Sequence, residues 1–236
     1  MIYKTGIEVD IHDVDYNGVA RTSALMRYMQ TAAQNQLTDN GMSYDRLIER
    51  NRAFILSRIT MEFTQTVRAY DKLTALSFPC DSRGFSFLRC YALEKDGVAI
   101  GRAVSVWALI DTATRGLVRV NDFELGLTTN KPLDISLSRF VMPKSIERVG
   151  SYRVRYSDTD QNRHMNNTRY PDMYSDFLPL DRKRIERISI NYINEAPAGE
   201  ELAVYSAVDD AGIYYFRTVR ADGLTNTEAE IRLIEI

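Results

Sequence analysis

The stretch "VDIHDVDYNGVARTSALMRYM" at residues 9–29 returns in altered form as "VRYSDTDQNRHMNNTRYPDMY" at residues 154–174. Aligned without gaps, Asp13 matches Asp158 and Asn17 matches Asn162. An acidic phrase is therefore repeated in the same local context. This repetition predicts that the chain contains two copies of one ancestral unit.

A second pair of segments supports the duplication. Residues 56–77 align with residues 185–206, so that Arg58 matches Arg187 and Leu73 matches Leu202. The offset between the copies falls from 145 to 129, which gives the first copy 16 additional residues between these landmarks.

In the first copy, apolar residues at helical spacing predict a helix from about Thr22 to Asn40, which Gly41 ends. A short helix from Ser43 to Glu49 is predicted to account for much of the insertion. Long strands follow, and Asp96–Gly97 is typical of a tight hairpin turn. The order of strand, acidic phrase, helix and further strands is predicted to recur in the second copy.

This pattern predicts an α+β fold, a tandem (double) hotdog in which each unit has a long helix wrapped by a mostly antiparallel sheet of about five strands. We expect an N-terminal hotdog at residues 1–130, a connector at 131–149 and a C-terminal hotdog at 150–236.

The acidic phrase is a poor calcium loop. An EF-hand loop needs a glutamate at its last ligand position, where the two copies have Ala24 and Arg169. Asp and Asn side chains also bond nearby backbone N–H groups, so the phrase predicts a turn between strand and helix. No metal-ligand pattern is present either, and we expect neither a metal nor a cofactor.

At two aligned positions, the second copy has an ionisable side chain where the first copy does not. Val19 becomes His164, and Thr66 becomes Glu195. Two aligned positions that are distant in sequence have both gained an ionisable group in the same copy. We therefore predict one site, in which His164 precedes a helix beginning near Asn166 or Asn167 and the free N–H groups of that helix stabilise an oxyanion. Such a site would activate water against an acyl compound.

Composition and charge bear on the binding partners and the cell compartment that we expect for this protein. The formal net charge of −2 gives no general attraction to nucleic acid. No apolar run approaches the roughly 20 residues of a membrane span, and no signal peptide is visible, so we expect a cytoplasmic protein. Cys80 and Cys90 lie in an apolar context and are predicted to be reduced, buried thiols.

The phrase "SDTDQNRHMNNTRY" resembles the second-hotdog signature of the plant and bacterial acyl-acyl-carrier-protein thioesterases. "INEAPAGEEL" is similar to a later catalytic segment of that family, and "GRAVSVWALIDTATRGLVRV" resembles a segment of its first half. The likeness begins near Val9 and covers nearly the whole chain.

The resemblance implies hydrolysis of fatty acyl-acyl carrier protein to free fatty acid, with Asp160, Asn162, His164 and Glu195 in the catalytic positions. Plant members carry Cys directly after the Glu, whereas this chain has Ala196. That departure favours direct attack by water over an acyl-enzyme. The resemblance also implies that the first hotdog holds the acyl chain in an apolar pocket beside its helix.

Alternatives stay open at this point. An acyl-CoA thioesterase of the same fold would cleave the same bond. A hotdog enoyl-thioester hydratase would have D-x-N-P-x-H, which the spacing from Asp160 to His164 does not match. A non-catalytic acyl-thioester binding protein would leave the joint appearance of His164 and Glu195 unexplained. Whether the chain forms a homodimer is open.

Overall fold

The computed structural model describes residues 2–137 and 140–236. The helices and strands are β1 Tyr3–Glu8, α1 Thr22–Asp39, α2 Tyr44–Glu49, β2 Arg52–Phe63, β3 Lys72–Pro79, β4 Phe87–Lys95, β5 Val98–Asp111, β6 Leu117–Val118, β7 Glu147–Arg153, α3 Tyr170–Ser175, β8 Lys183–Tyr192, β9 Glu201–Val208, β10 Tyr214–Val219 and β11 Thr225–Glu235.

The strands of the described residues join in one antiparallel sheet with the order β1-β3-β4-β5-β2-β8-β11-β10-β9-β7, while β6 pairs with β5 alone. The first five strands along this path belong to the first copy and the last five to the second. The strands have the same internal order in each copy. The equivalent strands β2 and β8 pair with each other where the two units meet. This architecture is the predicted double hotdog.

The two units meet at equivalent residues. In the β2–β8 register, Thr60 lies opposite Ser189, and their hydroxyl oxygens are 3.0 Å apart in a buried hydrogen bond. These two residues also occupy the same position in the repeat alignment. A local twofold axis therefore passes between them.

Helix α1 packs one face against the sheet of the first unit. Met26, Met29 and Ala32 on this face are fully buried, and the same hydrophobic cluster continues into the second unit through Met173 and Ile188. The helix ends at Asp39, and Gly41 takes a left-handed φ of +74° just beyond it. The core is therefore shared between the units.

The prediction of a long helix in the second copy is wrong. After a 3₁₀ turn at Asn167–Arg169, α3 has only six residues, whereas α1 has 18. The 16 residues that the second copy lacks are therefore missing from its long helix as well as from the α2 region. The second unit covers its sheet with a shorter element.

The predicted hairpins are present at the expected positions. Asp96 and Gly97 both have positive φ between β4 and β5, as a tight two-residue turn requires. The predicted connector at 131–149 includes residues 138 and 139, which lie outside the described residues. Strand β7 begins at Glu147, so the first strand of the second unit starts inside the predicted connector.

Among the described residues, no helix combines the length and the apolar character that crossing a bilayer requires. Cys80 and Cys90 are both free and fully buried, as predicted.

Candidate active site

The loop that carries His164 is held by the backbone bonds of the duplicated unit. Met165 N–H donates to the carbonyl of Ala196 at 2.8 Å, and in the first copy Ala20 N–H donates to Val67 at the same distance. The second-copy segment pairs directly with the segment that follows Glu195, since His164 also bridges Pro197. Backbone pairing therefore brings the two predicted ionisable residues together.

The turn inside this loop needs a left-handed residue. Gly18 has a φ of +69° in the first copy, and the aligned Arg163 has a φ of +65°. An L-residue other than Gly, Asn or Asp adopts this conformation at a cost. The hydrogen-bonding frame of the turn is retained, because Arg163 N–H donates to Asp160 as Gly18 N–H donates to Asp15.

His164 and Glu195 form the central pair of the site. The distance from His164 Nε2 to Glu195 Oε2 is 3.3 Å. The side chains are 34% and 56% exposed, respectively. Water can therefore reach both groups.

Asp160 and Asn162 lie in the same loop. Asp160 Oδ1 accepts the backbone N–H of Asn162 at 2.8 Å, and its Oδ2 accepts from Asn166 Nδ2 at 3.3 Å. Asp160 is thus engaged in holding the loop. The first copy repeats the former contact, since Asp15 Oδ1 accepts from Asn17 N–H at 2.8 Å.

Asn162 is held from the other unit. The phenol of Tyr44, on α2, donates to Asn162 Oδ1 at 2.9 Å. Because the oxygen of the amide accepts this bond, its nitrogen keeps two N–H donors for other groups. Sequence analysis missed Tyr44, because α2 has no counterpart in the second copy that an alignment of the copies could mark.

One of the expected helix-terminal donors is occupied within the loop itself. Asn166 Oδ1 accepts the N–H of Thr168 at 2.9 Å, which occupies a donor at the start of the 3₁₀ turn. Since α3 has only six residues, the long helix dipole predicted for this position is wrong. Asn162 lines the cavity and keeps its amide nitrogen as a donor for a ligand.

Further residues support Glu195. Arg220 Nη1 donates to the backbone carbonyl of Glu195 at 3.0 Å, while Arg220 Nη2 pairs with Asp222 at 2.9 Å. Burial raises the pKa of Tyr170 to about 12, with a smaller contribution from the charge of Glu195. This phenol therefore stays protonated at neutral pH.

A cavity of about 760 Å³ opens beside the loop. Asp160 and Asn162 line it, together with α1 and with Phe87 and Trp107 of the first sheet. Its wall also contains polar side chains from α1, so the prediction of an apolar pocket is only partly right. His164 lies two residues beyond Asn162 on this loop and Glu195 follows β8, and neither of the two lines the cavity.

The two fused units, with an ionisable pair in only one of them, define a double-hotdog protein with a single candidate acyl-transfer site. The sequence matches the acyl-ACP thioesterase N-terminal domain over residues 1–125 and the acyl-ACP thioesterase C-terminal domain over residues 143–234. The chain belongs to the acyl-ACP thioesterase family.

Curated proteins and solved structures are similar to this chain. Oleoyl-acyl carrier protein thioesterase 2 of Arabidopsis thaliana is 25% identical over 221 residues, which is 82% of this chain and 59% of that protein. An acyl-ACP thioesterase from Bacteroides thetaiotaomicron has a TM-score of 0.91 at 24% identity, covering 99% of this chain and 98% of its own. The 12:0-ACP thioesterase of Umbellularia californica has a TM-score of 0.85 at 16% identity, covering 100% and 98%.

The chain spans 59% of the Arabidopsis protein and 57% of a Cuphea viscosissima acyl-[acyl-carrier-protein] hydrolase, to which it is 20% identical over 91% of its own length. The solved structures, at these identities, show the double-hotdog fold.

Proposed function

We propose that this protein hydrolyses the thioester of fatty acyl-acyl carrier protein and releases the free fatty acid, which ends chain elongation. The proposal rests on the 3.3 Å contact between His164 Nε2 and Glu195 Oε2, and on the position of Asn162, two residues before His164, in the wall of a cavity of about 760 Å³. That volume falls within the roughly 300–1,000 Å³ of small-molecule sites. Family membership supports the same reaction.

The His164–Glu195 pair activates the water. As the water oxygen attacks the carbonyl carbon, the pair accepts a proton from the water. The C–S bond then breaks, and the pair returns the proton to the departing sulfur. The products are a carboxylic acid and the thiol of the carrier.

Asn162 binds the developing oxyanion. Since Tyr44 occupies Asn162 Oδ1, the amide nitrogen is oriented to donate to the carbonyl oxygen of the thioester. A donor placed where charge develops lowers the barrier more than one that binds substrate and transition state equally. Asp160 acts by holding the loop and is a positioning residue in this mechanism.

The residue after Glu195 favours direct attack by water. Ala196 is fully buried and has no nucleophilic atom. An acyl-enzyme at that position is therefore excluded.

The two units have different roles in this proposal. Residues 1–130 hold the acyl chain through the cavity wall on α1 and the first sheet, residues 131–149 connect the units, and residues 150–236 supply the hydrolytic pair. The partner is acyl carrier protein with an acyl-phosphopantetheine arm. A cytoplasmic location stays a prediction that cell fractionation would test, and light scattering would decide whether the chain forms a homodimer.

The test is thiol release from acyl-acyl carrier protein and from acyl-CoA of the same chain. We expect His164→Ala and Glu195→Ala each to lower kcat at least ~10²-fold, the usual scale for a general base. Thr66→Ala, at the first-copy position aligned with Glu195, is the matched control and should keep the wild-type rate. Wild-type rates in either site variant would reject the proposed site, and equal kcat/KM for both carriers would reject carrier selectivity.

A further inference from the structure

The inner wall of the cavity contains a buried cation. Arg89 lies on β4 and is only 7% exposed, yet it lines the cavity between α1 and the first sheet. It shares the inward face of β4 with Phe87 and Tyr91, which are also buried and also line the cavity. An arginine therefore occupies a position where an alkyl chain would meet apolar side chains.

The hydrogen bonds of Arg89 are to neutral groups. Its Nη1 donates to Gln36 Oε1 at 2.6 Å and to Ser77 Oγ at 2.8 Å. Within residues 2–137 and 140–236, no carboxylate forms an ion pair with this guanidinium. Burial lowers the pKa of Arg89, as desolvation of a cation requires. Buried charges are ordinarily paired, so this one is placed to receive an acceptor from outside the chain.

A second donor lines the same cavity. Gln30, on α1, has its Nε2 buried and without a hydrogen-bond partner among the described residues. A buried donor that is left unpaired costs about 1–3 kcal/mol. Two polar donors, from opposite walls, thus line one cavity that the protein itself does not fill.

An unsubstituted alkyl chain has no acceptor atom, so it would leave Gln30 Nε2 unpaired and would offer no partner to the guanidinium of Arg89. We propose that the acyl group taken by this protein carries an oxygen acceptor, and that Arg89 is the residue that binds it. The acceptor is a hydroxyl, an oxo or a terminal carboxylate oxygen on the chain, apart from the thioester carbonyl. This inference rests on the proposed function, whose acyl substrate it specifies.

The experiment compares acyl-pantetheine thioesters of one chain length that are unsubstituted, 3-hydroxy, 3-oxo, terminally hydroxylated or terminally carboxylated. We expect the wild-type protein to favour at least one oxygenated chain by ~10-fold or more in kcat/KM, because a site built to bind an oxygen discriminates against the analogue that lacks it. Arg89→Met should lower the ratio of kcat/KM for the oxygenated chain to kcat/KM for the unsubstituted chain. The substituent that responds identifies where along the chain the oxygen lies.

Arg83→Met is the matched control, since Arg83 is exposed and lies outside the cavity wall. Arg89→Lys keeps the charge and should retain part of the preference. A wild-type preference for the unsubstituted chain, an equal loss for all substrates in Arg89→Met, or a change in accepted chain length alone would overturn the inference while leaving the thioesterase proposal intact.

Binding measurements test the Arg89 site without requiring hydrolysis of the substrate. Calorimetry with the corresponding acyl-pantetheine amides, which lack the cleavable C–S bond, should give a lower Kd for the oxygenated chain in the wild-type protein but not in Arg89→Met. If the amides behave in this way and no thioester is hydrolysed, the proposed function fails and the Arg89 site stands. Equal Kd values for all amides in the wild-type protein would overturn the Arg89 site.

Discussion

Tyr44 and Asn162 join the two units at the candidate site, through a 2.9 Å hydrogen bond from the Tyr44 phenol to the Asn162 side-chain oxygen. Tyr44 lies on α2, within the part of the first copy that the second copy lacks. Asn162 lies on the loop of the second copy. The site is therefore composite, and the first unit contributes to it beyond forming a wall of the cavity.

Tyr44→Phe should lower kcat for thioester hydrolysis by about 3- to 10-fold, in line with the roughly 0.5–1.5 kcal/mol of one neutral hydrogen bond. Without the phenol, the amide of Asn162 is free to rotate and no longer presents its nitrogen to the substrate. Stopped-flow measurement of thiol release would give kcat and KM separately. Tyr70→Phe, at a tyrosine that is 65% exposed, is the control.

A double-mutant cycle with Asn162→Ala tests whether Tyr44 acts through Asn162. If it does, Tyr44→Phe will have little further effect in the Asn162→Ala background. Additive losses would mean that Tyr44 affects the reaction by another route.

Arg220→Met should lower kcat by about 10-fold with little change in KM, because it removes a charge-assisted hydrogen bond worth roughly 1.5–3 kcal/mol from the backbone carbonyl of Glu195. Arg220→Lys should recover part of the rate, since it retains a cationic donor. Steady-state kinetics on both variants provides the check. An unchanged kcat in Arg220→Met would show that the strand segment alone fixes Glu195.

Gly101→Ala should destabilise the first unit by about 1–3 kcal/mol, the usual cost of overpacking. A Cβ at Gly101 would lie 2.9 Å from Cδ1 of the buried Phe63 ring on the neighbouring strand. Urea unfolding followed by circular dichroism measures the change. Gly6→Ala is the matched strand control, because its Cβ would have no heavy atom of the described residues within 4 Å. Equal midpoints for the two variants would contradict the packing argument.

Asp172→Asn should raise the unfolding temperature at neutral pH. Burial raises the pKa of Asp172 above its ordinary value, despite the opposing charges of Arg21, Arg169 and Arg27. The native state therefore loses stability from this group as the pH rises through the raised pKa, and the neutral amide avoids that loss. The advantage should shrink as the pH falls into the ordinary carboxyl range, where Asp172 is protonated in both states.

Asp209→Asn is the control of opposite sign. The backbone N–H of Ile213 is the main cause that lowers the pKa of Asp209. The charged form then stabilises the native state above the ordinary carboxyl range, and this contribution is lost as the pH falls through the lowered pKa. Asp209→Asn should therefore lower the unfolding temperature at neutral pH. A shift of the same sign in both variants would show that the two pKa shifts do not govern stability.

The fold could be predicted from the sequence because the two copies align with each other and share one pattern of backbone hydrogen bonds. Val19 and Thr66 are the first-copy residues that align with His164 and Glu195. Next to them, the backbone hydrogen bonds Ala20–Val67 and Met165–Ala196 have the same 2.8 Å distance. The proximity of the His and Glu could therefore be predicted from two aligned differences. Their catalytic roles, with those of Asp160 and Asn162, stay predictions.

Features without a repeat partner were harder to predict. The shortness of α3 depends on where the missing residues are taken out, which an ungapped alignment does not reveal. The Tyr44–Asn162 contact joins segments 118 residues apart and has no local pattern. Arg89 did leave a signal, because it alternates with the buried Phe87 and Tyr91 along β4, as a residue on the inward face of a strand does.

The facing of Thr60 and Ser189 across the β2–β8 pair bears on how such a site can evolve. In a symmetric pair of identical subunits, every substitution is made twice, so a histidine gained for catalysis is also gained in the opposite cleft. Covalent fusion removes that constraint. One half can then acquire proton-transfer groups while the residues that line the cavity change in the other half. A residue such as Arg89 can therefore enter one lobe without a twin in the other.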